Sequence, residues 1–167
     1  MIKAHLSEEK KMLKLLGFGS LLMISAALFF EHVMGLHPCK MCIWQRIPHY
    51  ITIGLAAISL IPQVRKYSRP VLGLMSLSLL VGASIAFWHS GVELKLLEGP
   101  SSCSTAMSLT GDPSALLDQI LSTPAIRCDE VPWSFLGLSM ANWNLLITFA
   151  MTVVGFTSII MAKAKTE

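Results

Sequence analysis

Four apolar runs, at about 13–30, 47–64, 71–88 and 143–161, leave this 167-residue chain few ways to fold. At about 1.5 Å of rise per residue, an 18-residue helix covers roughly 27 Å, close to the roughly 30 Å hydrocarbon layer of a bilayer. Four such runs predict an all-α membrane protein, one domain over 1–167 built as a four-transmembrane-helix bundle. Composition excludes the soluble alternative: 53% of residues are hydrophobic, only 14% are charged, and mean hydropathy is +0.62.

The basic residues orient the bundle. Lys3, Lys10, Lys11 and Lys14 precede the first run, Arg65, Lys66 and Arg69 lie in the turn between the second and third, and Lys163 and Lys165 follow the fourth. The other side holds Lys40, Arg46, Lys95 and Arg127, diluted by most of the carboxylates. The positive-inside rule puts both termini in the cytoplasm and segments 31–46 and 89–142 outside, which in a bacterium means the periplasm and a multi-pass inner-membrane protein. The net charge of +3 comes from these topology determinants and gives no reason to expect nucleic acid. The first run is longer than a signal-peptide core and no small-x-small site follows it, so it reads as a retained helix. Short connections make neighbouring helices antiparallel, with Pro62 and Pro70 bounding the cytoplasmic turn. In the long outer loop, Glu98-Gly99-Pro100 reads as a turn, 113–121 as an amphipathic stretch, and 133–140 as an apolar interfacial motif with Trp133 and Trp143 as belt residues.

All four cysteines, Cys39, Cys42, Cys103 and Cys128, fall in the two outer segments. Cys39-Lys40-Met41-Cys42 sits at the mouth of a helix, where unpaired amides favour a thiolate. Arg46 follows Cys42 by four residues, which puts both on one face if the helix has begun. A guanidinium there would stabilise a thiolate or a reduced acceptor; alternatively it anchors to a lipid phosphate. Pro48 admits two readings: the helix starts near Gln45, or it starts earlier and bends at the proline. His32, His37 and His49 lie near the pair, but the second pair has no neighbouring ligand residues, so no metal site is expected. Cys103 and Cys128 are either a structural staple of the loop or a second redox couple. His89, at the outer end of the third run, has an ordinary reading as an interface residue or a satisfied hydrogen bonder; Trp88, Glu93 and Glu98 read likewise as interface and loop residues, and Glu31 and His32 as solvated residues at the end of the first run.

Taken in order, Glu31-His32-Val-Met-Gly-Leu-His-Pro38-Cys39-Lys-Met-Cys42-Ile-Trp-Gln-Arg46, then His89-Ser-Gly91-Val-Glu93, Gly99-Pro100-Ser-Ser-Cys103, and Arg127-Cys128-Asp-Glu-Val-Pro132-Trp133 through Met140 resemble the bacterial disulfide bond formation protein B family over nearly the whole chain. The resemblance implies a quinone-dependent protein-disulfide oxidoreductase. It would reoxidise a periplasmic thioredoxin-fold thiol oxidase, disulfide bond formation protein A, and pass electrons to ubiquinone or menaquinone in the membrane pool. It further implies that Cys39 and Cys42 are the quinone-proximal pair and that Cys103 and Cys128 are the loop pair, with Cys103 meeting the partner. Arg46 matches the arginine that supports quinone reduction. His89, which the family pattern matches less directly, is the candidate for a second quinone contact. Gln45 stands where other members carry a glutamate, so no acid role is expected there. Other readings of the same residues are a vitamin K epoxide reductase relative, an oxidoreductase dedicated to one exported substrate, and a non-enzymatic scaffold with one structural disulfide.

Overall fold

A computed structural model describes residues 2–101 and 127–164, which include four α-helices: α1 (Ile2–His32), α2 (Lys40–Ile58), α3 (Ser68–Glu93) and α4 (Met140–Ala164). A 3-10 turn (Arg65–Tyr67) leads into α3, and a hairpin of β1 (Ser134–Phe135) and β2 (Leu138–Ser139) leads into α4. Each helix packs against the next, α4 returns to α1, and α3 also touches α1 across the bundle.

Three helices are long and apolar enough to cross a membrane: Glu8–His32, Ser68–Glu93 and Met140–Met161. Side-chain placement agrees with an apolar surrounding. Ser20, Thr52, Ser76 and Thr148 are fully buried, whereas Phe18, Leu74, Phe87 and Phe149 are more than half exposed. Several inner hydroxyls donate to carbonyls one turn back, as Ser76 Oγ does to Leu72 O (2.9 Å) and Thr152 Oγ1 to Thr148 O (2.8 Å). Small hydroxyl residues inside and large apolar ones outside is the pattern of helices that associate by close packing and hydrogen bonds within lipid.

The second helix differs from the run expected at 47–64. It starts earlier, because Cys39 caps it: the cysteine backbone is extended (φ −70°, ψ 171°) and its sulfur accepts the Cys42 N–H. It ends at Ile58, where Ser59 Oγ turns back onto Ala56 O (2.6 Å). Pro48 therefore lies inside the helix. Its carbonyl is taken by Thr52 Oγ1 (2.9 Å) and, from α3, by Ser78 Oγ (3.2 Å). Gly82 permits this approach, since a Cβ there would lie 3.1 Å from Pro48 Cβ.

The apolar motif at 133–140 forms the hairpin, with Ser134 paired to Ser139 and Phe135 to Leu138. Both residues of its two-residue turn, Leu136 (φ 53°) and Gly137 (φ 77°), have positive φ, as a turn matched to strand twist requires. Trp143 Nε1 donates to Phe135 O (3.1 Å) and folds the hairpin back on α4. The stretch expected to be amphipathic, 113–121, lies outside the described residues.

Candidate functional site

At the cysteine end of the bundle the N-terminus of α2 meets the C-terminal turn of α3. Cys39 Sγ lies 3.0 Å from Cys42 Sγ, 3.3 Å from the Cys42 amide and 3.5 Å from His89 Nε2. Both cysteines are free thiols. Several hydrogen-bond donors converge on the Cys39 sulfur. The Cys42 thiol comes first, then His89 and the Cys42 amide; against the cost of burial they bring the Cys39 thiol down to about 4. Cys42 keeps its proton as the donor in that contact. The dithiol is therefore asymmetric, a thiolate at Cys39 beside a thiol at Cys42.

The sequence reading gave His89 an ordinary interface role, or else a contact with quinone. It is buried at 2% exposure, faces Cys39 and lines the cavity beside the dithiol. One turn on, Glu93 Oε1 stands 3.9 Å from His89 Nε2, and its other oxygen accepts the Ser139 hydroxyl at the start of α4. Glu93 thereby fastens α3 to the hairpin and the dithiol corner.

Arg46, expected beside Cys42, is paired with Glu31 at the end of α1, Nη1 to Oε2 2.5 Å, with both groups partly buried. Neither lipid anchoring nor a thiolate contact is needed to explain where it sits. Glu31, read from sequence as a solvated residue, is thus part of the site. Three further groups were missed: Gln45, His49 and Asn144 form a buried polar chain behind His89. Their signal was available as polar residues inside apolar helices, Gln45 and His49 at i, i+4 on α2 and Asn144 and Thr148 at i, i+4 on α4.

Cys128 is buried at 2% exposure, is disulfide-bonded, and packs in one cluster with Cys39, Met41 and Val92. The segment that carries it is pinned from outside. Arg127 grips Asp129 with two hydrogen bonds (2.9 and 2.8 Å), and Lys95 beyond the end of α3 reaches the same carboxylate (3.1 Å). These two cations hold the Asp129 carboxyl well below the usual range. The ring of His89 also hydrogen-bonds the main chain of Cys128. Cys103 lies outside the described residues.

Next to the dithiol is a cavity of about 580 Å³. Cys39, Cys42, His89, Glu93 and Arg46 line one side, and Phe30, Trp133, Phe135 and Trp143 line the other. The aromatic wall is continuous, with Phe30 and Trp133 centroids 4.7 Å apart and Trp133 stacked on Phe135 at 6.1 Å and 10°. Such a volume suits one flat organic ligand, and an arginine with a polar histidine opposite aromatic rings suits a planar ring with polar edges. Cys39, Cys42 and His89 also bring three soft donor atoms within 4.8 Å, so they are the residues that could hold a metal ion.

A family model described as disulfide bond formation protein DsbB matches residues 9–158. Relatives named disulfide bond formation protein B include one from Aeromonas hydrophila, 35% identical over 149 residues (85% of this chain, 82% of the relative). Another, from Shewanella amazonensis, is 31% identical over 158 residues (90% and 89%). A third, from Pasteurella multocida, is 34% identical over 169 residues (96% and 90%).

Proposed function

The chain belongs to the disulfide bond formation protein DsbB family of membrane proteins, and we propose that it is a thiol:quinone oxidoreductase that reoxidises a periplasmic thioredoxin-fold dithiol oxidase. The observation that carries this reading is the asymmetric Cys39–Cys42 dithiol on the rim of an aromatic-walled cavity, with the disulfide-bonded Cys128 packed against it.

In this scheme a thiolate of the reduced partner attacks Cys103 of a Cys103–Cys128 disulfide. The partner's second thiolate resolves the mixed disulfide, so the partner leaves oxidised and the loop pair becomes a dithiol. That dithiol reduces the Cys39–Cys42 disulfide in turn, and burial of Cys128 beside Cys39 supplies the proximity. A quinone bound in the cavity, ubiquinone or menaquinone, supplies the two-electron, two-proton acceptor that returns Cys39 and Cys42 to the disulfide. Arg46, fixed by Glu31, presents its guanidinium to the polar edge of that ring; Phe30, Trp133, Phe135 and Trp143 hold its faces. The partner couple is strongly oxidising, at about −120 mV, and each 30 mV corresponds to about 1.4 kcal/mol for a two-electron step. The stabilised thiolate of Cys39 favours the reduced pair and so makes its disulfide a strong oxidant as well.

We read all four helices as spans of the bacterial inner membrane, with both termini cytoplasmic and the cysteines periplasmic. Hydropathy understates α2 because its polar residues Gln45, His49 and Thr52 are turned into the bundle, while Ile43, Ile47, Ile51 and Ile58 face outward. At 19 residues it is about 28 Å long, enough to cross.

The test is oxidation of a reduced thioredoxin-fold dithiol protein by membranes holding this chain, with and without added quinone. Oxidation that needs both quinone and Cys128 supports the scheme. Oxidation that proceeds in Cys128→Ala would reduce the loop disulfide to a staple.

A further inference from the structure

Behind the dithiol a chain of side-chain hydrogen bonds crosses all four helices. His89 Nδ1 is 2.8 Å from Gln45 Nε2, Gln45 Oε1 accepts from Asn144 Nδ2 (2.5 Å), and Asn144 Oδ1 accepts from Thr148 Oγ1 (2.9 Å). His49 Nε2 stands 3.3 Å from Asn144 Oδ1, and His49 Nδ1 stands 3.2 Å from Ser20 Oγ. The chain has a direction. A carboxamide has one accepting and one donating end, so once Asn144 donates to Gln45 Oε1, Gln45 has only N–H to offer His89. A ring nitrogen that receives an N–H carries no proton itself, and the proton of a neutral imidazole then sits on the other nitrogen. That other nitrogen, Nε2, is the one 3.5 Å from Cys39 Sγ, so the hydrogen bond of the ring to the Cys128 main chain is made from the same N–H.

We infer that Gln45 and Asn144 are positioning residues for the dithiol: acting through His89, they hold its proton on Nε2 and aim that N–H at the Cys39 sulfur. The arrangement deepens the function proposed above, since it stabilises the nucleophilic sulfur of the same site. It concerns the reduced protein alone and stands whether or not quinone is the acceptor. It also explains why an amide serves at 45: a carboxylate accepts only and would call the ring proton to Nδ1. The other ionisable groups around Cys39 are Cys42 on α2 and Glu93 on α3, with His37, Arg46, His49, Arg127 and Glu130 along the cavity. None of these is altered by the substitutions below.

The experiment uses the full chain, purified in detergent and reduced. Nitrogen NMR of ¹⁵N-histidine-labelled protein, with His89 assigned from the signal lost in His89→Gln, should find the proton on Nε2 in the wild type and on Nδ1 in Gln45→Glu. Thiolate absorbance against pH should show the Cys39 ionisation constant falling about tenfold in Gln45→Leu, one pH unit in the midpoint. In Asn144→Leu, where Gln45 is free to turn, it should fall less. A wild-type His89 protonated on Nδ1 would overturn the inference, as would a tautomer unmoved by Gln45→Glu. So would a Cys39 midpoint unchanged in folded Gln45→Leu. Because the wild-type spectrum alone decides the first point, a variant that fails to fold cannot shelter the proposal. Failure of quinone-linked turnover, by contrast, would leave these spectra untouched.

Discussion

The two ends of the bundle are built from the same four helices by different means. At the end away from the cysteines Leu13, Leu16, Val71, Leu72, Met75 and Leu79 make a dry cluster, with Met12, Leu55, Ala56, Val64, Met151 and Ile159 packed against it. At the cysteine end the helices are joined by charge and hydrogen bonds: Arg46 to Glu31, Glu93 to Ser139, and the chain from Ser20 to His89. Within lipid an apolar contact gains little over the surrounding tails, so tight packing holds one end. The other end carries polar groups that would be costly if orphaned, and they fix one geometry around the sulfurs. Stability and chemistry are therefore separable along the helix axis.

The largest break in that separation is expected from the cysteines themselves. Cys39→Ala or Cys42→Ala should abolish quinone-linked thiol oxidation and leave thermal unfolding in detergent nearly unchanged. Cys103→Ala and Cys128→Ala should abolish oxidation of the protein partner, while a small dithiol still reduces quinone through Cys39 and Cys42.

Opposite behaviour is expected at the dry end. Met75→Ala or Leu72→Ala opens a cavity in the cluster and should cost about 2–5 kcal/mol of stability. Turnover per folded molecule should stay at the wild-type level. A loss of turnover without a loss of stability would show that the two ends are coupled.

Arg46→Ala comes next. Removing a charge-assisted contact of about 1.5–3 kcal/mol from a poorly solvated site slows quinone-linked turnover roughly 10- to 150-fold. Arg46→Lys retains the charge without the planar fork and should fall between. Glu31→Ala, which frees the guanidinium to swing, should raise the quinone concentration needed for half-maximal rate more than it lowers the maximal rate.

The smallest effect is a pH dependence. Cys39 is ionised above about 4, so its alkylation in the reduced protein should be nearly flat from neutral pH downward and fall only as pH drops through about 4. An ordinary thiol would already be fading below neutrality. The linked stability has the matching sign. A lowered folded-state value stabilises the reduced fold fully above the unfolded thiol's ordinary value, and this contribution is lost as pH falls toward about 4. The check is alkylation rate against pH in Cys42→Ala and in the wild type; removing the Cys42 donor should move the midpoint up.

Much of the fold is legible in the residues. Apolar runs of membrane length announced the helices, and the Cys-x-x-Cys spacing announced the dithiol. The second helix was misjudged at both ends, because a cysteine is an uncommon cap and because Pro48 looks like a boundary. Here the helix begins early enough to place the proline inside, and Gly82 makes room for it. Glu31 and His89 were read too narrowly for a related reason: each was judged by its place at a helix end. What decides their role is a partner far off in sequence, Arg46 for one and Gln45 and Cys39 for the other. Asn144 gave a readable sign, a polar residue in an apolar helix, but nothing local showed which way its amide points.

The central claim is that the Cys39–Cys42 dithiol gives its electrons to a quinone in the adjoining cavity. Anaerobic single turnover tests it most directly: reduced protein is mixed with a short-chain ubiquinone, and quinol is counted against the Cys39–Cys42 disulfide found by mass spectrometry of the same sample. One quinol for each disulfide formed, and none in Cys39→Ala, is the predicted result. Quinol that forms in Cys39→Ala, or a disulfide that closes without quinol, would contradict it.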